Sequence, residues 1–274
     1  MRRFAKAKNT RIHNTLVAAV GLSALSGCGT FDNVPRGTKS LLQVLVPQTS
    51  PSEAADMATD QYSAENRYRG TTLLSNAEFG GDGVYLELYL DGMDDQDSGV
   101  RSASVRALGR HGDPEHVGLI IKALEDENII VRIEAARALQ RVHSYEAVEP
   151  LIGIIDEDDE SSADVRAAAA DALGQYRENS VVQALISALQ DSRLVVNDRV
   201  QHSLLVLTGQ NFGLDRRAWI DWYNSTDDVF AGAQPYTYPV FNRKKRLVEY
   251  LPLIPPPPNE TTSTPVGMDP VIVE

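Results

Sequence analysis

Cysteine is almost absent from this chain: Cys28 is the single one among 274 residues. No disulfide framework can form within the chain. Basic charge is also short, with 26 Lys and Arg against 38 Asp and Glu, a formal charge of −12. Nucleic-acid binding depends on clustered Lys and Arg, and a phosphate backbone would be repelled by this field, so nucleic acid is excluded as an expected partner. Long apolar runs are missing too. The stretch from Leu16 to Leu25 covers ten residues, well short of the roughly 20 that a membrane helix needs. Motifs for chemistry are equally scarce. The densest acidic run is Asp156-Glu157-Asp158-Asp159-Glu160. An EF-hand loop starting there needs a glycine and a carboxylate where Ser161 and Ala167 stand, and one starting at Asp95 meets Val100 and Arg106 instead. His111, His116, His143 and His202 lack the paired spacing of a zinc site. No Gly-rich phosphate loop follows a strand pattern, and no serine sits in a Gly-x-Ser-x-Gly elbow. The expectation is a chain with no catalytic residue, no cofactor and no metal.

What is present is a repeat. Val100-Arg101, Val131-Arg132, Val165-Arg166 and Val196-Asn197 recur at intervals of 31 to 34 residues, each followed eight residues later by a leucine, at 108, 139, 173 and 204. In each opening segment small or apolar residues fall at offsets 0, 4, 7 and 8, such as Val131, Ala135, Ala138 and Leu139, a stripe of helical period. A second helix follows with bulkier residues at offsets 0, 3, 4 and 7, such as Val182, Leu185, Ile186 and Leu189. Small residues on the first helices let neighbouring units approach closely. Units that cannot bury their apolar faces alone must stack, so the pattern predicts an all-α solenoid of helix pairs. A weaker unit precedes the regular ones, with Arg67, Leu73 and Leu74, then Leu86, Tyr89, Leu90 and Met93 around a longer glycine-rich turn. In the last unit Trp219, Trp222 and Tyr223 replace aliphatic residues, and are expected to cover the open end of the stack.

The N-terminal segment has a basic start, the short apolar run and then Leu25-Ser26-Gly27-Cys28, the order of an export signal that is later removed. These four residues resemble the lipobox of bacterial lipoproteins. The resemblance implies cleavage between Gly27 and Cys28, acylation of Cys28, and, with Gly29 in place of an aspartate, passage to the outer membrane, facing the periplasm or the surface. Several acyl chains, at roughly 0.8 kcal/mol per buried methylene, would hold the protein firmly where one would not. Loss of residues 1–27 leaves 21 Lys and Arg against 38 Asp and Glu, a formal charge of −17.

The repeats, through Arg132 to Leu139 and Asp164 to Gly174 in particular, resemble HEAT repeats, above all the short bacterial type also found in phycobilisome lyases. The likeness covers about residues 62–224 and implies a right-handed α-α superhelix of about five helix pairs. It also implies a hydrogen-bonded ladder of carboxylates and arginines joining successive units. Six residues before each arginine slot stands an acid, which assigns Asp95, Arg101, Asp126, Arg132, Glu160, Arg166 and Asp191 to the ladder, with Asn197 breaking it in the last unit. In a HEAT-like stack the second helices line the concave face. Their non-core positions Leu119, Lys122, Glu149, Gln183 and Ser187 are therefore the candidate partner-binding surface.

The domain reading is a signal peptide over 1–27, a lipidated flexible tether over 28–61, a repeat domain over 62–224 (units 62–94, 95–125, 126–159, 160–190 and 191–224), an extended arm over 225–258 and a disordered tail over 259–274. Within the tether, the apolar cluster from Leu41 to Val46 is expected to dock on the domain. In the arm, Tyr236, Tyr238 and Val240 alternate with polar or proline positions, Arg243-Lys244-Lys245-Arg246 is basic, and Leu251 to Pro258 is proline-rich. Docking of the arm on the acidic solenoid is expected. The function expected from all this is a non-enzymatic, lipid-anchored scaffold that binds a protein or cell-envelope component. Two other readings stay open: a chromophore lyase or chaperone, implied by the phycobilisome-lyase resemblance, and a purely structural role in the envelope with the proline-rich segment as spacer.

Overall fold

The computed structural model describes residues 49–238, 244–251, 254 and 262–268. The chain divides into two units, one of residues 49–242 with 258–274 and one of residues 1–48 with 243–257. The expected signal segment, Gly27, Cys28, the Leu41 to Val46 cluster, Val240 and Arg243 lie outside the described residues.

Among the described residues the first unit holds eleven α-helices and no strand beyond isolated bridges. They are α1 (Pro51–Ala58), α2 (Ala64–Ser75), α3 (Gly83–Gly92), α4 (Ser98–His111), α5 (Val117–Lys122), α6 (Ile129–Leu139), α7 (Val148–Ile154), α8 (Ala163–Leu173), α9 (Asn179–Ala188), α10 (Leu194–Thr208) and α11 (Arg216–Ser225). From α2 onward they form five pairs in an α-α superhelix. First helix packs on first helix through the series α2, α4, α6, α8 and α10. Polar residues start these helices: the side chains of Ser63, Asp97, Asn128 and Ser162 each accept a backbone N–H of the first turn, satisfying donors that a helix leaves unpaired. The stripe residues Val131, Ala135, Ala138 and Leu139 of α6, like Val165, Ala169, Ala172 and Leu173 of α8, are at most 2 % exposed. Each large aliphatic buried this way contributes roughly 1.5 to 3 kcal/mol. The close approach of α4 and α6 requires the glycine at 109, where a Cβ would lie 2.7 Å from the Ala138 Cα.

The chain between tether and repeats differs from the expected flexible segment reaching to residue 61. Residues 51–58 form α1, whose Ser50 hydroxyl accepts the Glu53 N–H at 3.2 Å and whose Pro51 opens the first turn. Ala54 and Ala58 are buried against Gly70, where a Cβ would stand 2.3 Å from the Ala58 nitrogen. The serine and proline that suggested a linker here serve as helix-start residues.

At the other end, α10 stops at Gly209, in the left-handed region with φ 71°. Trp219 of α11 is fully buried, its Nε1 donates to the Gly213 carbonyl at 3.0 Å, and its ring meets Phe212 edge-on at 5.0 Å and Trp222 at 5.9 Å. An aromatic wall thus closes the last pair.

The tail also departs from expectation. Residues 259–274 were expected to be disordered, yet residues 262–268 return to the repeats. Val266 makes a parallel bridge with Val142, donating its N–H to the Arg141 carbonyl and accepting that of His143, both at 2.8 Å. Tyr238 pairs antiparallel with Ser263. Tyr236 is buried, and its hydroxyl donates to the Asp171 carbonyl at 2.7 Å. Open carbonyls and amides at the ends of first helices supply partners that local composition does not reveal. In the second unit, Leu247–Tyr250 form a 3₁₀ turn, Lys244, Lys245 and Arg246 are exposed, and the Lys245 ammonium stands 5.8 Å over the Tyr250 ring.

Candidate functional site

Two systems of arginines dominate the repeats. The first runs along the N-terminal ends of the first helices. Arg101 forks onto Asp126 (Nε to Oδ2 2.7 Å, Nη2 to Oδ1 2.9 Å), Arg132 onto Glu160 (2.7 and 3.1 Å) and Arg166 onto Asp191 (2.6 and 3.0 Å). Each arginine also donates to the carbonyl of its own unit's acid, Asp95, Asp126 or Glu160 in turn, at 2.6 to 2.9 Å. The acids then accept the N–H two residues on, at Asp97, Asn128, Ser162 and Arg193, at 2.7 to 2.8 Å. Every unit is thereby tied to the next through bidentate, charge-assisted bonds. Asn197 keeps only the link to its own unit, donating to the Asp191 carbonyl at 3.1 Å.

Sequence reasoning left out one rung. Arg67 forks onto Asp95 at 2.6 and 2.9 Å and donates to the Asp60 carbonyl at 2.9 Å. The signal was present, because Asp60 lies seven residues before Arg67, one more than the regular spacing. The carboxyls respond to this setting. Asp95 is held below its ordinary range, chiefly by the Arg67 fork. For Asp126, Glu160 and Asp191 burial pushes upward, but the arginine fork, the backbone N–H and neighbouring guanidiniums together outweigh it, so each also lies below the usual range.

Leu119 and Lys122 of α5, Glu149 of α7 and Gln183 and Ser187 of α9 are all exposed on second helices, Leu119 by 39 %. Gln183 is engaged, donating to the Tyr223 hydroxyl at 2.8 Å. None of the five lines the concavity on the first-helix side.

That concavity, of about 690 Å³, opens across the first helices α4, α6, α8 and α10. Its origin is a difference in side-chain length. Ala167 and Ala168 of α8 leave low ground, while Arg106 and Arg110 of α4, Arg137 of α6, Arg141 just beyond it and Arg199 of α10 line its sides, with Arg110 Nη1 donating to the Ser75 carbonyl at 3.1 Å. Three carboxylates share the lining: Glu134, Asp164 and Asp171. Glu134, nearly buried, accepts from Arg106 Nε at 3.0 Å and from Arg137 Nη1 at 3.1 Å. Arg199 Nε stands 3.8 Å from Asp171, and burial pushes the Asp171 carboxyl above its ordinary range, with Arg199 and His202 pulling the other way. The returning chain end supports this floor. The Arg141 guanidinium lies 5.1 Å over the Tyr238 ring, and Tyr236 holds the Asp171 carbonyl. The signal for these residues was also present: Arg106 and Arg137, like Arg110 and Arg141, recur 31 residues apart at one repeat position.

Among the described residues no group of His, Cys, Asp and Glu is placed to hold a metal ion, and no helix is long and apolar enough to cross a membrane. His111 Nε2 lies 2.8 Å from the Ser75 carbonyl of α2, joining two units. His143 Nδ1 meets the Gln175 Oε1 at 2.9 Å, and Gln175 in turn donates to the Leu139 carbonyl.

Residues 86–163 and 119–205 match the family model for HEAT repeats. The stack over these residues is similar to HEAT repeats. Solved structures similar to this helical array include an engineered protein, 18 % identical, covering 56 % of this chain and 77 % of its own at a TM-score of 0.44. A designed armadillo repeat protein is 15 % identical, covering 66 % and 94 % at a TM-score of 0.46. A third, from armadillo repeat proteins computationally designed for modular peptide recognition, is 15 % identical with the same coverage and a TM-score of 0.43. No curated protein matches the chain. The described helices form an α-α superhelix of repeated helix pairs, similar to HEAT repeats over residues 86–205.

Proposed function

We propose that this scaffold is a non-enzymatic protein-binding module, held by lipid at the cell envelope, and that it receives its partner on the first-helix face. The observation that carries the reading is the groove of five arginines gathered over the short side chains of α8. Residues 49–238 carry 33 Asp and Glu against 15 Lys and Arg, so five cations converging on one groove mark the part of the surface that departs from the whole. Solenoids hold partners through extended surfaces spread over several units, and this groove spans four. The lipid anchor is supported by Leu25-Ser26-Gly27-Cys28; acyl chains on Cys28 would leave the repeats free to engage a partner near the membrane.

The test is cross-linked capture from membrane-extracted protein, comparing the wild type with two paired variants. Arg137→Gln with Arg199→Gln alters the groove, and Lys122→Glu with Glu149→Lys alters the second helices. Loss of the captured partner in the groove pair alone is the expected result. Loss in the second-helix pair alone would move the site to that face. Labelling with radioactive palmitate that disappears on Cys28→Ser tests the anchor.

A further inference from the structure

We infer that the segment from Lys244 to Leu251 is a contact for the surface of an anionic phospholipid bilayer. The inference uses neither the groove nor Cys28, so it stands or falls apart from both. Four consecutive cations, Arg243-Lys244-Lys245-Arg246, occur here in a chain that is acidic overall, and Glu249 is the one acid between residues 243 and 251. That carboxylate turns back on the chain, accepting the Arg246 N–H at 2.7 Å and closing the 3₁₀ turn Leu247–Tyr250. The turn leaves its apolar side chains in the open: Leu247 is 91 % exposed, Val248 54 %, Tyr250 71 % and Leu251 56 %. Single exposed apolar residues are ordinary on a protein surface. Four of them within five residues, directly after four cations, make a patch with a charged half and an apolar half. The Lys245 ammonium stands 5.8 Å over the Tyr250 ring, which brings the two halves together.

A bilayer surface supplies what both halves call for. Headgroup phosphates attract the ammonium and guanidinium groups, and the layer just beneath them takes Leu, Val and Tyr side chains. Tyrosine suits that depth because its ring is apolar and its hydroxyl polar. Lysine stems lie along apolar surroundings while their ammonium groups stay at the phosphates. An acidic protein face would engage the cations but makes no general use of Leu247, Val248 and Leu251. The rest of the chain limits where such a contact can form. Residues 49–238 carry 33 Asp and Glu against 15 Lys and Arg, so an anionic surface repels the repeats and attracts only a basic segment outside them. Residues 243–257 lie outside the repeat unit. One short patch holds a bilayer weakly. Beside an acyl anchor it would act at high local concentration and tether the chain on both sides of the repeats.

The test uses the full chain carrying Cys28→Ser and Val248→Cys. The first change removes the acylation site, and the second provides the sole thiol, to which an environment-sensitive nitrobenzoxadiazole dye is attached. The probes are phosphatidylcholine vesicles without and with about one third phosphatidylglycerol. On the mixed vesicles the dye emission should shift to the blue and the protein should float with the lipid, both effects fading as salt is raised. Neutral vesicles should give neither. Lys245→Glu with Arg246→Glu should lower partition at least about tenfold. Leu247→Ser with Tyr250→Ser, which keeps every cation, should lower it at least about threefold. Lys122→Glu, on a second helix, should leave it within about twofold. Residues 1–27 are the same in every variant, so the differences report the segment alone. A dye unchanged by the mixed vesicles, equal response to neutral ones, or partition indifferent to either paired variant would overturn the inference. Tighter binding to polyglutamate than to the mixed vesicles would overturn it as well and assign the patch to an acidic protein face. Because Cys28 is replaced throughout, failure of the acyl anchor is read separately, by the palmitate labelling.

Discussion

Arg166 on α8 and Arg137 on α6 both stand on first helices within 3.1 Å of a carboxylate oxygen, yet the side chain of the first is 1 % exposed and that of the second 59 %. Arg166 spends its donors on Asp191 twice and on the Glu160 carbonyl once, and Asp191 accepts the Arg193 N–H besides. Arg137 makes one bond to Glu134, a carboxylate it shares with Arg106. The same side chain therefore serves as a joint in one place and as a contact point in the other. What separates them is the degree to which the donors are used up inside the fold. A buried fork leaves nothing to offer a partner, while a half-exposed guanidinium with one bond adds little to stability and retains most of its hydrogen-bonding capacity.

That contrast can be broken most directly at the buried end. Arg166→Ala leaves Asp191 inside the stack with its counter-charge gone, and breaking a buried pair from one side costs about 3 to 5 kcal/mol. Denaturant unfolding should show this as the largest loss of any single ladder substitution. An undiminished midpoint would mean that Asp191 is hydrated and that the rung is no joint. Arg132→Ala should come next, lowering the melting temperature well beyond Arg177→Ala, an exposed arginine outside both systems. Equal melting of the two would dismiss the rung.

Acidity sharpens the same distinction. Asp126 and Glu160 have folded values below those of the unfolded chain, so their contribution is complete above the ordinary carboxylate range and is lost as pH falls through the lowered values. Asp171 has the opposite sign: its contribution is complete below the ordinary Asp range and is lost as pH rises through its raised value. Melting temperatures from pH 7 down to 3 should therefore fall less steeply in Asp126→Asn than in the wild type, from a lower start. Asp171→Asn should gain at neutral pH and converge with the wild type in acid. Parallel curves for all three proteins would remove the electrostatic account. The smallest effect is expected from Arg137→Gln with Arg199→Gln, which should cost no more than about 1 kcal/mol of stability. A loss on the scale of Arg166→Ala would erase the difference between joint and contact.

The fold was largely legible because its causes are local and periodic. The offsets of Val131, Ala135, Ala138 and Leu139 report a buried helix face directly, and the resemblance to HEAT repeats gave the acid six residues before each arginine its meaning as a rung. The groove was harder to see. It depends on Ala167 and Ala168 being shorter than the side chains on flanking helices, which is a relation between units and not a feature of any one. The aligned arginines at 106 and 137 hinted at it, but attention to second helices drew the candidate surface to Leu119, Lys122, Glu149, Gln183 and Ser187. The return of residues 262–268 left no trace in sequence, since two isolated bridges need no apolar alternation or turn signal. Likewise α1 was hidden by its own capping serine and proline, which read as linker composition.

The bridge between Val266 and Val142 alters how the array can come apart. In a plain solenoid each unit answers only to its neighbours, so either end can peel away while the middle holds. Here a segment beyond the last helix pair is clamped to the turn after α6 by a pair of backbone hydrogen bonds, closing a loop of chain that contains α7 through α11. Loosening of the α6 or α8 unit also releases the chain beyond α11, through Val266 and Tyr236, so the middle of the stack and that segment are coupled. The structure thus predicts a molecule that melts in fewer, larger steps than its repeat count suggests, with a clip on its trailing end acting as a latch.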